Sequence, residues 1–292
     1  MDGRPNILLI MCDQLNASVL GCYGGPVPTP NLDRLASEGV LFHDAVCPTP
    51  FCSPSRASLI TGVYPHSHGI VHNVNQQDYP AIPSPPTEES IHSQDITTEK
   101  LLNSSGYDTH HYGKLHLNHA NLPYYEDVFG EHVEYEQQMS PIFDQVKTLP
   151  PDKRMEWYGW HLPVEVSSQL QEAVSSLGDQ LTEKRLSDFI TKMGRLDWPL
   201  EHVFDVQVAE RTIERLGQLG QNPFMLTCSF NYPHDPNVVP SPYYEMFPPE
   251  SIEHLKTSII VNPGLLRTGP GRSLPTWASQ GHASFFGSIM LL

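Results

Sequence analysis

A cysteine and an arginine lie four residues apart in "TPFCSPSRASLITGVYPH", residues 49–66, which has prolines on both sides of the cysteine and a helix-like run behind it. At the start of a helix, backbone amides would stabilise the thiolate of Cys52, and Arg56 one turn later would add positive charge. The spacing therefore indicates a reactive thiol. The simpler alternative for so short a pattern is a buried cysteine beside a surface arginine.

Further polar residues follow apolar runs that are typical of strands. Asp13 and Gln14 come directly after "NILLIMC", which suits a strand buried on both faces of a parallel sheet. Lys114 and His116 lie two apart in a predicted strand, so their side chains should face the same side. His234 lies in "NYPHDP", after the apolar run "PFMLTCSF". Ligands of open α/β sheets bind at the carboxyl ends of strands, so these residues are expected to share one site.

Each of these residues also has a purely structural interpretation. Asp13 could cap a strand and the turn after it, and the histidine-rich "HHYGKLHLNH" could be a solvated loop. His234 could be an ordinary loop histidine. The convergence at strand ends is the argument that favours a site, and a histidine with a pKa near neutrality suits proton transfer there.

The elements that must position these residues alternate between helix and strand. "TPNLDRLASEGV" predicts a short helix that begins after Thr29 and ends at Gly39, and "VLFHDAVCP" predicts a strand after it. A second helix is expected from Pro54 to Gly62, and "TTEKLLNSSGYDTHHYGKLHL" predicts a helix, a glycine stop and a strand. This alternation predicts an α/β fold with a largely parallel central sheet and helices on both faces.

One helix carries an amphipathic pattern. "FDVQVAERTIERLGQLG" predicts an amphipathic helix with four apolar residues on one side: Val206, Ala209, Ile213 and Leu216. Residues 120–200 contain aromatic and charged residues without a clean period, and the sequence assigns no chemistry to them.

The composition excludes several classes of protein. With 292 residues and 39 % hydrophobic content the chain is globular, and 28 prolines with 20 glycines indicate many loops. A net charge of −16 argues against a nucleic-acid partner, because phosphate contacts need clustered basic residues.

Five cysteines are too few for a disulfide framework and should be mostly reduced. No segment has the length of a signal peptide or membrane span, so we expect a cytoplasmic location and no membrane partner.

Several blocks of the sequence, in order, are similar to those of one known family. "CSPSR" followed by "ASLITGVYPHSHGI" resembles the active-site signature of the type I sulfatases, members of the alkaline-phosphatase-like superfamily. "RPNILLIMCDQ", "LGCYGG" with "TPNLDRLASEGVLF", "GYDTHHYGKLHL" and "SFNYPHDP" resemble further blocks of that family. The resemblance covers most of residues 4–74, and then 97–118 and 205–250.

The resemblance answers why the chain has a cysteine at this position. In the family, a formylglycine-generating enzyme oxidises the cysteine before folding, and the hydrate of formylglycine is the nucleophile. The resemblance implies that Cys52 is the precursor of formylglycine and that Arg56 fixes the hydrate. It also implies hydrolysis of a small-molecule sulfate ester by covalent catalysis, in which one hydroxyl of the hydrate attacks sulfur and the other expels sulfate.

The remaining site residues receive roles from the same resemblance. Asp13, Gln14 and the modified Cys52 would bind a hard divalent cation, most simply Ca²⁺, because they offer oxygen ligands. Lys114 would bind sulfate oxygens, and His116 would bind the formylglycine hydroxyl. His234 would donate a proton to the leaving alcohol or hold a sulfate oxygen.

The resemblance also implies that the C-terminal part of the fold is missing. Family members carry two further cation ligands in an Asp-His-Gly or Asp-Asn-Gly element, and none follows residue 205 here. Residues 1–292 would form one incomplete catalytic domain with variable insertions at 75–100 and 120–200. Two alternatives stay open: a phosphonate or phosphate ester hydrolase of the same superfamily, and a truncated sulfatase-like protein without activity.

Overall fold

A computed structural model of the chain describes residues 3–74, 88, 90–91, 96–117, 133–150, 153–157, 160–165, 193–248 and 290–291. Much of the two variable segments predicted at 75–100 and 120–200 lies outside these residues. The C-terminal stretch "GHASFFGSIMLL" also lies outside them, apart from Met290 and Leu291.

The strands are, in chain order, β1 (Ile7–Cys12), β2 (Asp108–Gly113), β3 (Arg154–Trp157), β4 (Trp160–Glu165), β5 (Met193–Leu196), β6 (Phe224–Phe230), β7 (Asn237–Pro240) and β8 (Met290–Leu291). The helices are α1 (Pro30–Glu38), α2 (Cys52–Thr61), α3 (Pro65–His68), α4 (Thr98–Ser104), α5 (Val133–Val146) and α6 (Phe204–Gln218). The chain divides into two compact units, of which the first comprises Met1–Ser140, Phe204–Asp235 and Phe285–Leu292 and the second Pro141–Val203 and Pro236–Ser284.

The first unit is built on a four-stranded sheet in the order β2-β6-β1-β8. β2 and β1 both pair with β6 in parallel, and β8 pairs with β1 in antiparallel. Helices α2 and α4 pack Leu59 and Leu102 against Leu9 and Met11 of β1. Helix α6 contacts β2 and β6 on the other face. The predicted α/β class, with a largely parallel sheet and helices on both faces, is confirmed.

Helices α1 and α2 show how the local sequence sets helix ends. Helix α1 has Pro30 as its first residue and Gly39 just after its last, as predicted. Helix α2 begins at Cys52, two residues before the predicted start, and ends at Thr61. Gly62 follows it with a left-handed backbone (φ 72°), and its N–H donates to the carbonyl of Ser58. Cys52 is therefore the first helical residue.

The strand predicted for "VLFHDAVCP" is wrong. Residues 40–48 form a turn and irregular chain, and Val46 is 90 % exposed. In the described sheet, which has the order β2-β6-β1-β8, this segment pairs with no strand. An apolar run becomes a strand only where an open sheet edge pairs with it, so the apolar pattern alone gave the wrong result here.

The predicted amphipathic helix is present as α6, but its buried residues are not the four apolar residues of the pattern. Ile213 is 68 % exposed, and the buried residues of this helix are Phe204, Asp205, Gln207, Val208 and Thr212. Three of these are polar. Asp205 accepts two backbone hydrogen bonds, and the hydroxyl of Thr212 donates to the carbonyl of Val208. A search for apolar residues alone does not find a buried helix face whose polar side chains form hydrogen bonds with other groups of the protein.

The second unit contains a separate sheet in the order β3-β4-β5-β7. Strand β4 pairs in antiparallel with both β3 and β5, and β7 pairs in parallel with β5. Phe143 and Trp198 stack with ring centroids 5.8 Å apart. None of the predicted site residues belongs to this unit. Among the described residues, no helix combines the length and apolar character needed to cross a bilayer.

The end of β2 depends on a glycine. Gly113 has φ 92°, and a Cβ atom at this position would lie 1.9 Å from the carbonyl oxygen of Ser229 on β6. Lys114 follows immediately, and its N–H donates to that same oxygen at 2.8 Å. Glycine is therefore the residue that allows β2 to approach β6 closely where the chain turns towards Lys114.

We expect Gly113→Ala to lower the free energy of unfolding by about 1–3 kcal/mol, because the new methyl group adds backbone strain and displaces β6. Gly217→Ala is the matched control, since a Cβ there meets no atom within 4 Å. In helix α6 the control should be neutral or raise stability by up to about 1 kcal/mol. Urea unfolding of both variants measures the difference. Equal stability of the two would show that β2 and β6 do not approach as closely as described.

Candidate active site

Two carbonyl groups at the carboxyl end of β6 accept backbone hydrogen bonds from the residues that follow β1 and β2. The N–H of Asp13, after β1, donates to the carbonyl of Phe230 at 3.2 Å. The N–H of Lys114, after β2, donates to the carbonyl of Ser229 at 2.8 Å. His234 lies four residues beyond the end of β6 itself. The predicted convergence of these three polar residues is thus present in the structure.

Asp13 is a buried carboxylate, 3 % exposed, with different partners on its two oxygens. Oδ2 contacts Nζ of Lys114 and lies 3.7 Å from Nη2 of Arg56. Oδ1 faces Sγ of Cys52 at 3.6 Å. Burial by itself raises the pKa of Asp13, but the positive charges of Lys114 and Arg56 outweigh it and lower the pKa to about 2.

Arg56 is buried below the site and connects α2 to the sheet. Its Nη1 donates to the carbonyl of Lys114 at 2.5 Å and to Oγ of Ser229 at 2.8 Å. The arginine is therefore held by three groups from three elements, including Asp13. The alternative of a surface arginine beside the cysteine is wrong.

Cys52 is half-buried at the N-terminus of α2, and the next residue anchors it. The N–H of Ser53 donates to Oδ1 of Asn73 at 3.0 Å, and Oγ of Ser53 donates to the carbonyl of His116 at 2.8 Å. Ser53 thus connects the segment that carries the thiol to the segment that carries His116. The sequence analysis missed Ser53 and Asn73, because a serine inside a motif gives no signal of its backbone partners.

Lys114 and His116 do not lie on a strand, so the prediction from strand alternation is wrong. Strand β2 ends at Gly113, and His116 has a left-handed backbone with φ 55°. Lys114 is nevertheless buried and reaches Asp13. Burial, and then the positive charges of Lys114 and Arg56, lower the pKa of His116 to about 3. The imidazole of His116 is therefore neutral at physiological pH.

His234 is oriented by the residue that follows it. Nδ1 of His234 lies 2.8 Å from the carbonyl oxygen of Asp235 and 3.0 Å from its Oδ1. Burial lowers the pKa of His234, but hydrogen bonds with Asp235 and Cys52 outweigh it and raise the pKa to about 10. The side chain is therefore an imidazolium at neutral pH. This pKa lies above the range near neutrality that suits a group which both donates and accepts a proton.

The loop that carries His234 is held by Asp205, a residue that the sequence analysis did not identify. Its carboxylate accepts the backbone N–H groups of Asn231 at 2.8 Å and of Tyr232 at 2.7 Å. Burial raises the pKa of Asp205 to about 6, although the two amides lower it. An acidic residue in the first turn of a helix is ordinarily explained by the helix dipole, so the sequence gave no signal of this role.

The donor atoms at the site partly fit a divalent cation. Among the described residues, ligand atoms of Asp13, Cys52 and His234 lie within 4.8 Å of one another. Gln14 follows Asp13 with a left-handed backbone, φ 64°. The oxygens of Asp13 and Gln14 suit Ca²⁺, whereas the sulfur of Cys52 does not. The residues therefore fit calcium only when residue 52 carries oxygen, as formylglycine does.

An apolar cavity of about 170 Å³ lies on the α2 and α4 side of the sheet, and Arg56, which contacts Asp13, is one of its lining residues. Side chains of β1, β6 and α2 line it, including Leu9, Met225 and Leu59. A binding site for a charged ester needs several polar groups that point to one place. The cluster of Asp13, Cys52, Lys114 and His234 has such groups, whereas this cavity is mostly apolar.

The sequence matches the family model described as "Sulfatase" over residues 5–259. A sulfatase from Formosa agariphila is 27 % identical over 251 residues, which are 86 % of this chain and 43 % of that protein. Arylsulfatase A from Homo sapiens is 40 % identical over 114 residues, 39 % of this chain and 21 % of that protein. The phosphonate monoester hydrolase of Agrobacterium radiobacter has a similar fold, with a TM-score of 0.57 at 23 % identity over 85 % of this chain and 44 % of that chain.

The chain spans less than half the length of these relatives. The family match nevertheless covers most of the chain and includes each strand of the site sheet except β8. The alkaline-phosphatase-like architecture expected from the sequence motifs is confirmed by the parallel sheet and by the structural neighbour. The chain belongs to the sulfatase family.

Proposed function

We propose that the chain carries the catalytic centre of a sulfuric ester hydrolase that uses formylglycine derived from Cys52 and a divalent cation, Ca²⁺. The observation that carries the proposal is the position of Cys52. Its Sγ lies 3.6 Å from one oxygen of Asp13, whose other oxygen contacts Lys114. The three residues to which the proposal assigns the nucleophile, the metal-ligand carboxylate and the anion-binding cation thus lie side by side at the end of a parallel sheet. The names of the relatives, a sulfatase and an arylsulfatase, support the reaction class.

The proposal assigns each of the two groups, formylglycine and the cation, to particular residues. Formylglycine at position 52 would supply a hydroxyl nucleophile, and a cation held by the oxygens of Asp13 and Gln14 would stabilise negative charge beside it. The side chains of residue 52 and Asp13 are already adjacent, with Sγ of Cys52 3.6 Å from Oδ1 of Asp13. An oxygen on residue 52 and an oxygen of Asp13 could therefore bind the same cation.

The positive groups of the site suit an anionic substrate. The side chains of Lys114, Arg56 and His234 all carry positive charge within one cluster, although the whole chain has a net charge of −16. Lys114 and His234 would bind oxygens of a sulfate ester and stabilise the charge that develops on them. Arg56, held by the carbonyl of Lys114 and the hydroxyl of Ser229, would keep the local potential positive.

The two histidines have different proton states and so would have different roles. His234, an imidazolium held by Asp235, can donate a proton to the alcohol that leaves. His116 is neutral, and can accept a hydrogen bond from a hydroxyl on residue 52 or donate one to it.

The proposal includes a maturation partner that acts before the chain folds. In the folded chain Ser53, Pro54 and Arg56 are buried, so an enzyme could not bind the motif around Cys52 in an extended form. A formylglycine-generating enzyme must therefore act while this segment is still unfolded.

The test of function is turnover by the chain produced together with a formylglycine-generating enzyme. One aryl alcohol, as its sulfate ester and as its phosphonate ester, gives two substrates with the same leaving group. We expect faster hydrolysis of the sulfate ester and a loss on the order of 10³-fold or more in Cys52→Ala, because the nucleophile is removed. Cys47→Ala is the matched control and should keep full activity, since Sγ of Cys47 donates to the nearby carbonyl of Thr49 and is not part of the cluster around Asp13.

Three outcomes would contradict this proposal. Faster hydrolysis of the phosphonate ester would favour the alternative hydrolase. Equal activity of Cys52→Ala and the unmodified sequence would place the chemistry elsewhere. Complete conversion of Cys52 without turnover of either ester would favour a protein without catalytic activity.

Asp205 provides a separate test of the loop that carries His234. Asp205→Ala leaves the amides of Asn231 and Tyr232 without their acceptor, which should cost about 1–3 kcal/mol for each amide. Asp205→Asn keeps one acceptor oxygen and should lose less stability. Urea unfolding gives the stabilities, and kcat should fall in the same order because His234 loses its position. An Asp205→Ala variant as stable and active as the original chain would contradict the anchoring role.

A further inference from the structure

We propose that the folded chain in which Cys52 is still a thiol binds Zn²⁺ through Sγ of Cys52, Oδ1 of Asp13 and Nε2 of His234. This site differs from the calcium site of the modified chain in its ion, in its donor atoms and in the state of residue 52. It does not depend on ester hydrolysis, so it can be tested whether or not the proposed function is correct.

The spacing of the ligand atoms fits a tetrahedral ion. Ligand atoms of all three residues lie within 4.8 Å of one another. Sγ of Cys52 lies 3.6 Å from Oδ1 of Asp13. Tetrahedral zinc, with a Zn–S bond of about 2.3 Å and a Zn–O bond of about 2.0 Å, gives an S to O separation of about 3.5 Å. The distance between Sγ of Cys52 and Oδ1 of Asp13 therefore already matches the separation of two ligands of a tetrahedral zinc ion.

The outer partners of these ligands orient them towards one point. The carbonyl and carboxylate oxygens of Asp235 engage Nδ1 of His234, which leaves Nε2 as the ring nitrogen available to a metal ion. Zinc-binding histidines are oriented in this way, by an oxygen on the second ring nitrogen. Lys114 and Arg56 occupy the side of Oδ2 of Asp13, which leaves Oδ1 directed at the same thiol.

The donor set selects zinc over calcium. One thiolate, one imidazole and one carboxylate match the sulfur and nitrogen ligands that zinc prefers, whereas calcium takes six to eight oxygens. On binding, the thiol proton of Cys52 and the proton on Nε2 of His234 pass to solvent, and Zn–S and Zn–N bonds form. Three protein ligands leave the fourth tetrahedral position to water or to an inorganic anion, beside Lys114.

The identity of the bound metal would therefore report the state of residue 52. Conversion of Cys52 to formylglycine removes the thiolate and puts oxygen in its place, so the donor set becomes hard and loses its preference for zinc. Unmodified chains would hold Zn²⁺, and modified chains would not. A preparation that contains both forms would carry zinc in proportion to its unmodified fraction.

The test uses the full chain made by cell-free synthesis without the modifying enzyme, with the thiol at position 52 verified by mass spectrometry. Titration with Co²⁺ should give a thiolate-to-cobalt charge-transfer absorption band, and one equivalent of Zn²⁺ should abolish it. Competition with a chromogenic chelator then gives zinc affinities. Loss of an outer partner of a zinc ligand costs about 10–100-fold in affinity, so loss of a ligand should cost at least as much.

The variants separate this site from other histidines and thiols of the chain. We expect Cys52→Ser to abolish the charge-transfer band, and Asp13→Asn and His234→Gln to weaken zinc binding by about 10–100-fold or more. Cys47→Ser removes a thiol elsewhere and should change neither the band nor the affinity. Circular dichroism confirms that each variant is folded, and these near-isosteric changes keep the volume of the side chain.

Clear results would overturn the inference. Absence of the charge-transfer band in the original chain shows that Cys52 is not a ligand, and this result needs no variant. A Cys52→Ser variant with unchanged zinc affinity places the ion on other residues. Equal zinc affinity of the formylglycine form, or displacement of zinc by equimolar Ca²⁺, contradicts the selection by donor type.

Discussion

The buried carboxylate of Asp13 is the charge on which the site depends. A carboxylate removed from water persists as an anion only beside positive partners, and Lys114 and Arg56 supply them from the ends of β2 and from α2. Removing one partner of such a buried cluster typically costs about 3–5 kcal/mol. The contacts of Asp13 with Lys114 and Arg56 also connect the ends of β1 and β2 to helix α2. A substitution that removes one of these charges should therefore lower the stability of this edge of the sheet and also change the candidate site.

The positions of the polar groups follow from the parallel sheet and from a few capping interactions. Strand β6 lies between β1 and β2, and its last carbonyls accept the backbone amides of Lys114 and Asp13. Asp205 holds the loop after β6, and Ser53 connects α2 to the segment of His116. The segments that carry the side chains near Cys52 are therefore held by hydrogen bonds to their backbone groups.

The sequence predicted the residues of the site better than the contacts that position them. Asp13, Lys114 and His234 were expected to converge, because the carboxyl ends of parallel strands meet at one edge of a sheet. Asp205 was not foreseen, because its partners lie across the fold and an acidic residue at a helix start has an ordinary local explanation. The apolar run at residues 40–48 was predicted as a strand because its pattern contains no information about which sheet edges are already paired.

The central claim is that the oxidation state of residue 52 decides what the site does. The most direct measurement prepares the chain with graded fractions of formylglycine, determined by mass spectrometry of the peptide that contains position 52, and compares them with the initial rate of aryl sulfate hydrolysis. The account predicts a rate proportional to the formylglycine fraction and close to zero when every chain carries the thiol. A rate that does not change with this fraction would contradict it.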